Sequence, residues 1–66
     1  MKIWIVFHTF DNGHQIVPFS TKRKADNFAN RILKEYSEEY KEEVTVVNLP
    51  ELNDHCNLEI VEEELK

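Results

Sequence analysis

The chain has one cysteine, one glycine and two prolines among 66 residues, and each scarcity removes a class of protein. A lone thiol, Cys56, cannot build a disulfide framework and suits a reducing compartment. A single glycine, Gly13, leaves no room for a glycine-rich phosphate loop or a flexible linker. No CxxC or HxxxH spacing is present, so the usual metal-ligand patterns are missing. The apolar run Ile3–Phe7 is far too short to span a bilayer. It also lacks the basic start, long apolar core and cleavage site of a signal peptide. The expectation is one cytoplasmic, full-length domain over residues 1–66, with no membrane association and no cofactor.

A hydrophobic share of 41 % with 11 % aromatics is too high for a disordered chain of this charge. At this length the core is small, near the lower limit for folding without a metal or disulfides. The net charge of −5 is unevenly spread. Residues 1–20 are neutral, and residues 21–34 are basic through Lys22, Arg23, Lys24, Arg31 and Lys34. Acid dominates beyond, through Glu35, Glu38, Glu39, Glu42 and Glu43 and then Glu51, Asp54, Glu59, Glu62, Glu63 and Glu64. Such a surface disfavours general nucleic-acid affinity and favours a basic partner.

Lys2–Phe10 is β-branched and aromatic, a strand by composition. Asn12-Gly13 is a strong two-residue hairpin signal. A turn centred there pairs Phe10 with Gln15, His8 with Val17 and Val6 with Phe19. Side chains alternate along a strand, so one face holds Ile3, Ile5, Phe7, Thr9, Ile16 and Pro18. The other holds Trp4, Val6, His8, Phe10, Val17 and Phe19. Pro18 marks the second strand as an edge.

Thr21, or else Ser20, is placed to cap a helix running to Glu43. Ala25, Phe28, Ala29, Ile32, Leu33, Tyr36 and Tyr40 form its apolar stripe at three- and four-residue spacing. Its charges oppose the helix dipole, basic in the first turn and acidic toward the end. That bias suggests that something outside the helix answers them. Val44–Leu49 reads as a third strand stopped by Pro50. Leu58–Val61 reads as a fourth, with Cys56, Leu58 and Ile60 inward, and Glu62–Lys66 as a charged, frayed end. A right-handed return gives the order 2-1-3-4. The expected fold is a two-layer α+β domain, ββαββ, one amphipathic helix packed on a small antiparallel sheet.

The opening KIWIVF, a short turn and then IVPFSTKRKADNFA resemble uncharacterised small phage and prophage proteins. In those an N-terminal hairpin enters a helix through a Phe-Ser-Thr/Ser-Lys-x-Lys-Ala junction, here Phe19 to Ala25. The resemblance covers residues 2–31. It implies a fold junction and a phage-encoded accessory role, with no functional residues to carry over. Arg23 departs from the pattern, which often has an acid there.

One helix covers one sheet face, while both faces of the hairpin are apolar. An uncovered patch is therefore expected to be an interaction site, either Trp4, Val6, Phe10, Val17 and Phe19 or the opposite set. The same patch could support a homodimer. The carboxylates of Glu35, Glu38, Glu39, Glu42 and Glu43 could imitate a phosphate array toward a basic groove. Lys22, Arg23 and Lys24 at the helix start form an alternative anion site, or a nucleic-acid contact extended by Arg31 and Lys34. His55 and Cys56 are adjacent and point apart in an extended segment, and His8 and His14 do not face each other. No metal site and no catalytic residue follow from them. The functional expectation is a non-enzymatic protein-binding module, a phage or prophage inhibitor of a host enzyme or defence complex that masks a nucleic-acid-binding groove. The alternative is a small nucleic-acid-binding regulator using the basic helix start.

Overall fold

The strand expected at the start of the chain forms the middle of the sheet. The computed structural model describes residues 1–65. It contains β1 (Lys2–Phe10), β2 (Gly13–Phe19), α1 (Lys22–Tyr40), α2 (Leu49–Leu52) and β3 (Asn57–Glu64). The sheet order is β2-β1-β3, with both pairings antiparallel. The protein is thus α+β, with one long helix on a three-stranded sheet.

The hairpin register differs from expectation by two residues. Trp4 opposes Phe19, Val6 opposes Val17, His8 opposes Gln15 and Phe10 opposes Gly13. The two-residue connection is therefore Asp11-Asn12. Lys41 is the one non-glycine described residue with positive φ, so Asp11 and Asn12 keep negative φ, and Gly13 takes φ 153°. A primed turn would need positive φ at one or both central residues. A type I turn needs neither and favours glycine at its fourth position, where Gly13 stands. A slip of two residues preserves the faces, so hydrophobic patterning could not separate the two registers.

Thr21 caps α1: its Oγ1 accepts the Lys24 N–H at 3.2 Å from an extended backbone. Ala25 and Ala29 are buried, and Phe28, Ile32, Leu33, Tyr36 and Tyr40 pack against the core beside them. Phe28 meets Phe19 of β2 with ring centroids 5.3 Å apart. The helix therefore covers the sheet face of Trp4, Val6, His8, Phe10 and Phe19. It ends earlier than expected. Lys41 turns left-handed (φ 58°), its amide returns to the Ser37 carbonyl, and the Glu42 N–H donates to the same oxygen at 3.2 Å. Glu42 and Glu43 consequently lie beyond the helix, a correction to the sequence reading.

Val44–Leu49 is not a strand. The Asn48 side chain holds it in a turn: Oδ1 accepts the Thr45 N–H at 2.7 Å and Nδ2 donates to the Glu43 carbonyl at 3.0 Å. The Asn48 N–H donates to Thr45 Oγ1 at 3.3 Å. Such local side-chain bonds compete with a ladder, and Pro50, suited to the first turn of a helix, starts α2. Val44 and Leu49 reach the core, while Val46 and Val47 are exposed.

The place beside β1 belongs instead to the last strand. β3 extends beyond Val61 through Glu64, so Glu62–Glu64, expected to fray, pair with Trp4, Ile3 and Lys2. Lys2 Nζ lies 3.0 Å from Glu62 Oε1, and the Leu65 N–H donates to the Met1 carbonyl at 2.7 Å. The rest of the expected tail, Lys66, lies outside the described residues. Cys56 and Leu58 are buried and Ile60 packs on the core, the inward side expected of them.

Candidate functional site

An antiparallel sheet with one face to water normally alternates apolar inside and polar outside. This one does not. The face away from α1 carries Ile3, Ile5, Phe7, Ile16, Pro18 and Val61, with Ile5 flanked by Pro18 and Val61 and Phe7 by Ile16. Ile16 is 55 % exposed. Along β3 the stripe is bordered by Glu59 opposite Phe7 and Glu63 opposite Ile3. No lysine or arginine falls on this face among the described residues. The open face thus has an apolar centre and one acidic border. The candidate set Trp4, Val6, Phe10, Val17 and Phe19 is corrected accordingly, because α1 covers that side and Val6 is fully buried. Its opposite number is the open one.

The acidic set divides. Glu35, Glu38 and Glu39 are exposed on the last turns of α1, and Glu42 and Glu43 follow the left-handed turn at Lys41. None of the five has an ion-pair partner among the described residues. In the basic turn, Lys22 is engaged by Asp26 one turn on, at 3.1 Å, while Arg23 and Lys24 are exposed without such a pair among the described residues. Part of the unfavourable dipole bias is thus answered within the helix.

A polar chain runs under α1 that sequence reasoning did not assemble. His8 Nε2 and the Tyr36 hydroxyl are 2.8 Å apart, and that hydroxyl donates to Cys56 Sγ at 3.6 Å. With the hydroxyl proton directed at sulfur, the oxygen accepts from His8 Nε2–H. Tyr36 stacks on Tyr40, whose hydroxyl accepts from Asn53 Nδ2 at 3.3 Å. Burial first, and then the contact with Cys56, push the Tyr36 hydroxyl well above its usual range. A cleft of about 310 Å³ opens here, lined by His8, Gln15, Ile32, Glu35, Tyr36 and Glu39. One signal was available in the sequence: His8 and Tyr36 both fall on the inward stripes of their elements.

Burial lowers the His8 pKa below the usual 6.5, with the Gln15 side chain opposing the shift. A neutral imidazole is therefore favoured in the folded state, and the unfolded chain binds the proton more readily. The stability that His8 contributes is complete above pH 6.5 and is lost as pH falls from there through the folded value. Histidine ring-proton titration by NMR should place the His8 midpoint below 6.5, with denaturation midpoints falling across the same window. A midpoint above 6.5 would reverse the sign and contradict the burial of this ring.

His14 is exposed on β2 opposite Thr9, and His55 lies in the 53–56 turn with Nε2 3.6 Å from Asp54 Oδ1. Among the described residues no three histidines, cysteines or acids gather as a metal site. No described helix is long and apolar enough to cross a membrane. No family model matches the chain, and no curated protein or solved structure shows significant similarity to it.

Proposed function

We propose that this chain is a non-enzymatic protein-binding module that docks its open sheet face on a larger, basic partner. One observation carries the reading: a stripe of Ile3, Ile5, Phe7, Ile16, Pro18 and Val61 left uncovered by the single helix and bordered by Glu59 and Glu63. Covering that stripe removes apolar area from water, the largest favourable contribution in most protein association. The carboxylates set the sign of the partner and steer its approach. The specific form we favour is a phage- or prophage-encoded inhibitor. Its exposed acids, including Glu35, Glu38, Glu39, Glu42 and Glu43, would occupy a groove that otherwise holds nucleic acid.

Affinity capture from bacterial lysate, with and without nuclease, tests this when the chain is compared with Ile16→Lys. Ile16 is exposed, so the substitution spares the core. A stoichiometric protein should survive nuclease and be lost with Ile16→Lys, a hot-spot effect of about 2 kcal/mol or more. Recovery that vanishes with nuclease and depends on Lys22, Arg23 and Lys24 would replace this reading with a nucleic-acid regulator. A dimeric mass sensitive to Ile16→Lys would assign the face to a second copy.

A further inference from the structure

We infer that the outer edge of β3 accepts an extended basic segment of the partner as a fourth, antiparallel strand. The inference rests on the protein-binding reading and names the mode of docking. Among the described residues β3 has β1 on one side and no strand on the other, so its outer backbone groups lack ladder partners there. The two edges are unequal. β2 contains Pro18, which cannot donate to a ladder, whereas Asn57–Glu64 contains no proline. A groove of about 400 Å³ lies beside β3, lined by Val46, Asn57, Leu58, Glu59 and Ile60. Leu58 and Ile60 belong to the helix side of the sheet, and Asn57 and Glu59 to the open side. A groove bounded by both sets follows the strand's edge and does not sit over one face. Val46, held out by the Thr45–Asn48 turn, forms its far wall.

Charge selects the occupant. Glu59 and Glu63 have no ion-pair partner among the described residues. A second copy fits poorly. An antiparallel β3–β3 pair centred on Ile60 and Val61 opposes Glu59 to Glu62, and centres nearer the end oppose Glu62, Glu63 and Glu64 to one another. Directly opposed like charges destabilise a strand pair. A basic segment converts each repulsion to attraction. Main-chain bonds supply affinity in such strand addition, and alternate side chains supply selectivity. Opposite Glu64 back to Glu59, the complementary segment reads basic, basic, basic, apolar, apolar, basic.

The test uses the full chain, isotope-labelled, titrated with a capped peptide whose core is Lys-Lys-Lys-Val-Ile-Lys. Saturable shifts and new protection from hydrogen exchange should appear at the amides of residues 57–64. Methylating the peptide nitrogens along one edge should abolish binding, while methylating the other edge leaves it intact. Glu59→Lys with Glu63→Lys should weaken it about tenfold. Ile16→Lys, across the sheet on β2, should leave it unchanged although it removes partner capture. Shifts centred on Ile5, Phe7 and Ile16 would overturn the edge site and leave the protein-binding reading standing. Absence of saturable shifts at millimolar peptide would overturn the edge site as well.

Discussion

Leu49→Ala is expected to lower the unfolding free energy by about 2–5 kcal/mol, the range for emptying a buried leucine site. Leu49 and Val6 are the largest side chains with no solvent exposure. A single core in a domain this small rarely supplies more than about 3–5 kcal/mol. The variant should therefore be substantially unfolded at 25 °C, visible as a collapse of the urea midpoint followed by circular dichroism. The backbone at this position is secured separately, since the Leu49 N–H donates to the Thr45 carbonyl at 3.0 Å. What the substitution removes is packing between α2 and the sheet. Leu49→Met keeps most of the volume and should cost less than about 1.5 kcal/mol. If Leu49→Ala costs less than that, the segment between α1 and β3 is not integral to the core.

Ser37→Ala should cost about 1–3 kcal/mol through one buried amide. Ser37 Oγ donates to the Leu33 carbonyl at 2.8 Å and accepts the Val44 N–H at 2.9 Å. That second bond fastens the chain after the left-handed turn, and Val44 is only 4 % exposed. Alanine leaves the Val44 N–H without its acceptor in a site that excludes most water. Hydrogen exchange at Val44 should accelerate relative to the middle of α1, and Ser37→Thr, which retains the hydroxyl, should restore part of the protection. Equal exchange in all three proteins would mean that the hydroxyl does not hold the turn.

Period and composition made the hairpin, its two faces, the helix stripe and the Thr21 cap legible, because each follows from short-range sterics or spacing. The misses have separate physical causes. Thr45, Val46 and Val47 have the composition of a strand, but the side chain of Asn48 offered the backbone better partners locally. The hairpin slipped by two because both registers keep Val6 and Val17 on the same side. Glu42 and Glu43 read as helical in the sequence because the helix end is marked by Lys41 in a left-handed conformation that usually belongs to glycine. Which sheet face stays open required knowing which side α1 would choose. With both sides of the hairpin apolar, that choice depended on β3, whose Leu58 and Ile60 join Val6 beneath the helix while Glu59 and Glu63 turn away.

The pairing of β1 with β3 also sets the order in which the molecule can be made. β1 is synthesised before its second neighbour, β3, with β2, α1 and α2 between them. Until β3 exists, β1 has only its hairpin partner, and an isolated two-stranded hairpin is at best marginally stable in water. Pairing between strands so far apart in sequence raises contact order, which slows folding. Completion of the sheet thus waits for β3. Before it, the nascent chain displays one side of its most hydrophobic strand as an unpaired edge, the form most exposed to aggregation and to chaperone capture.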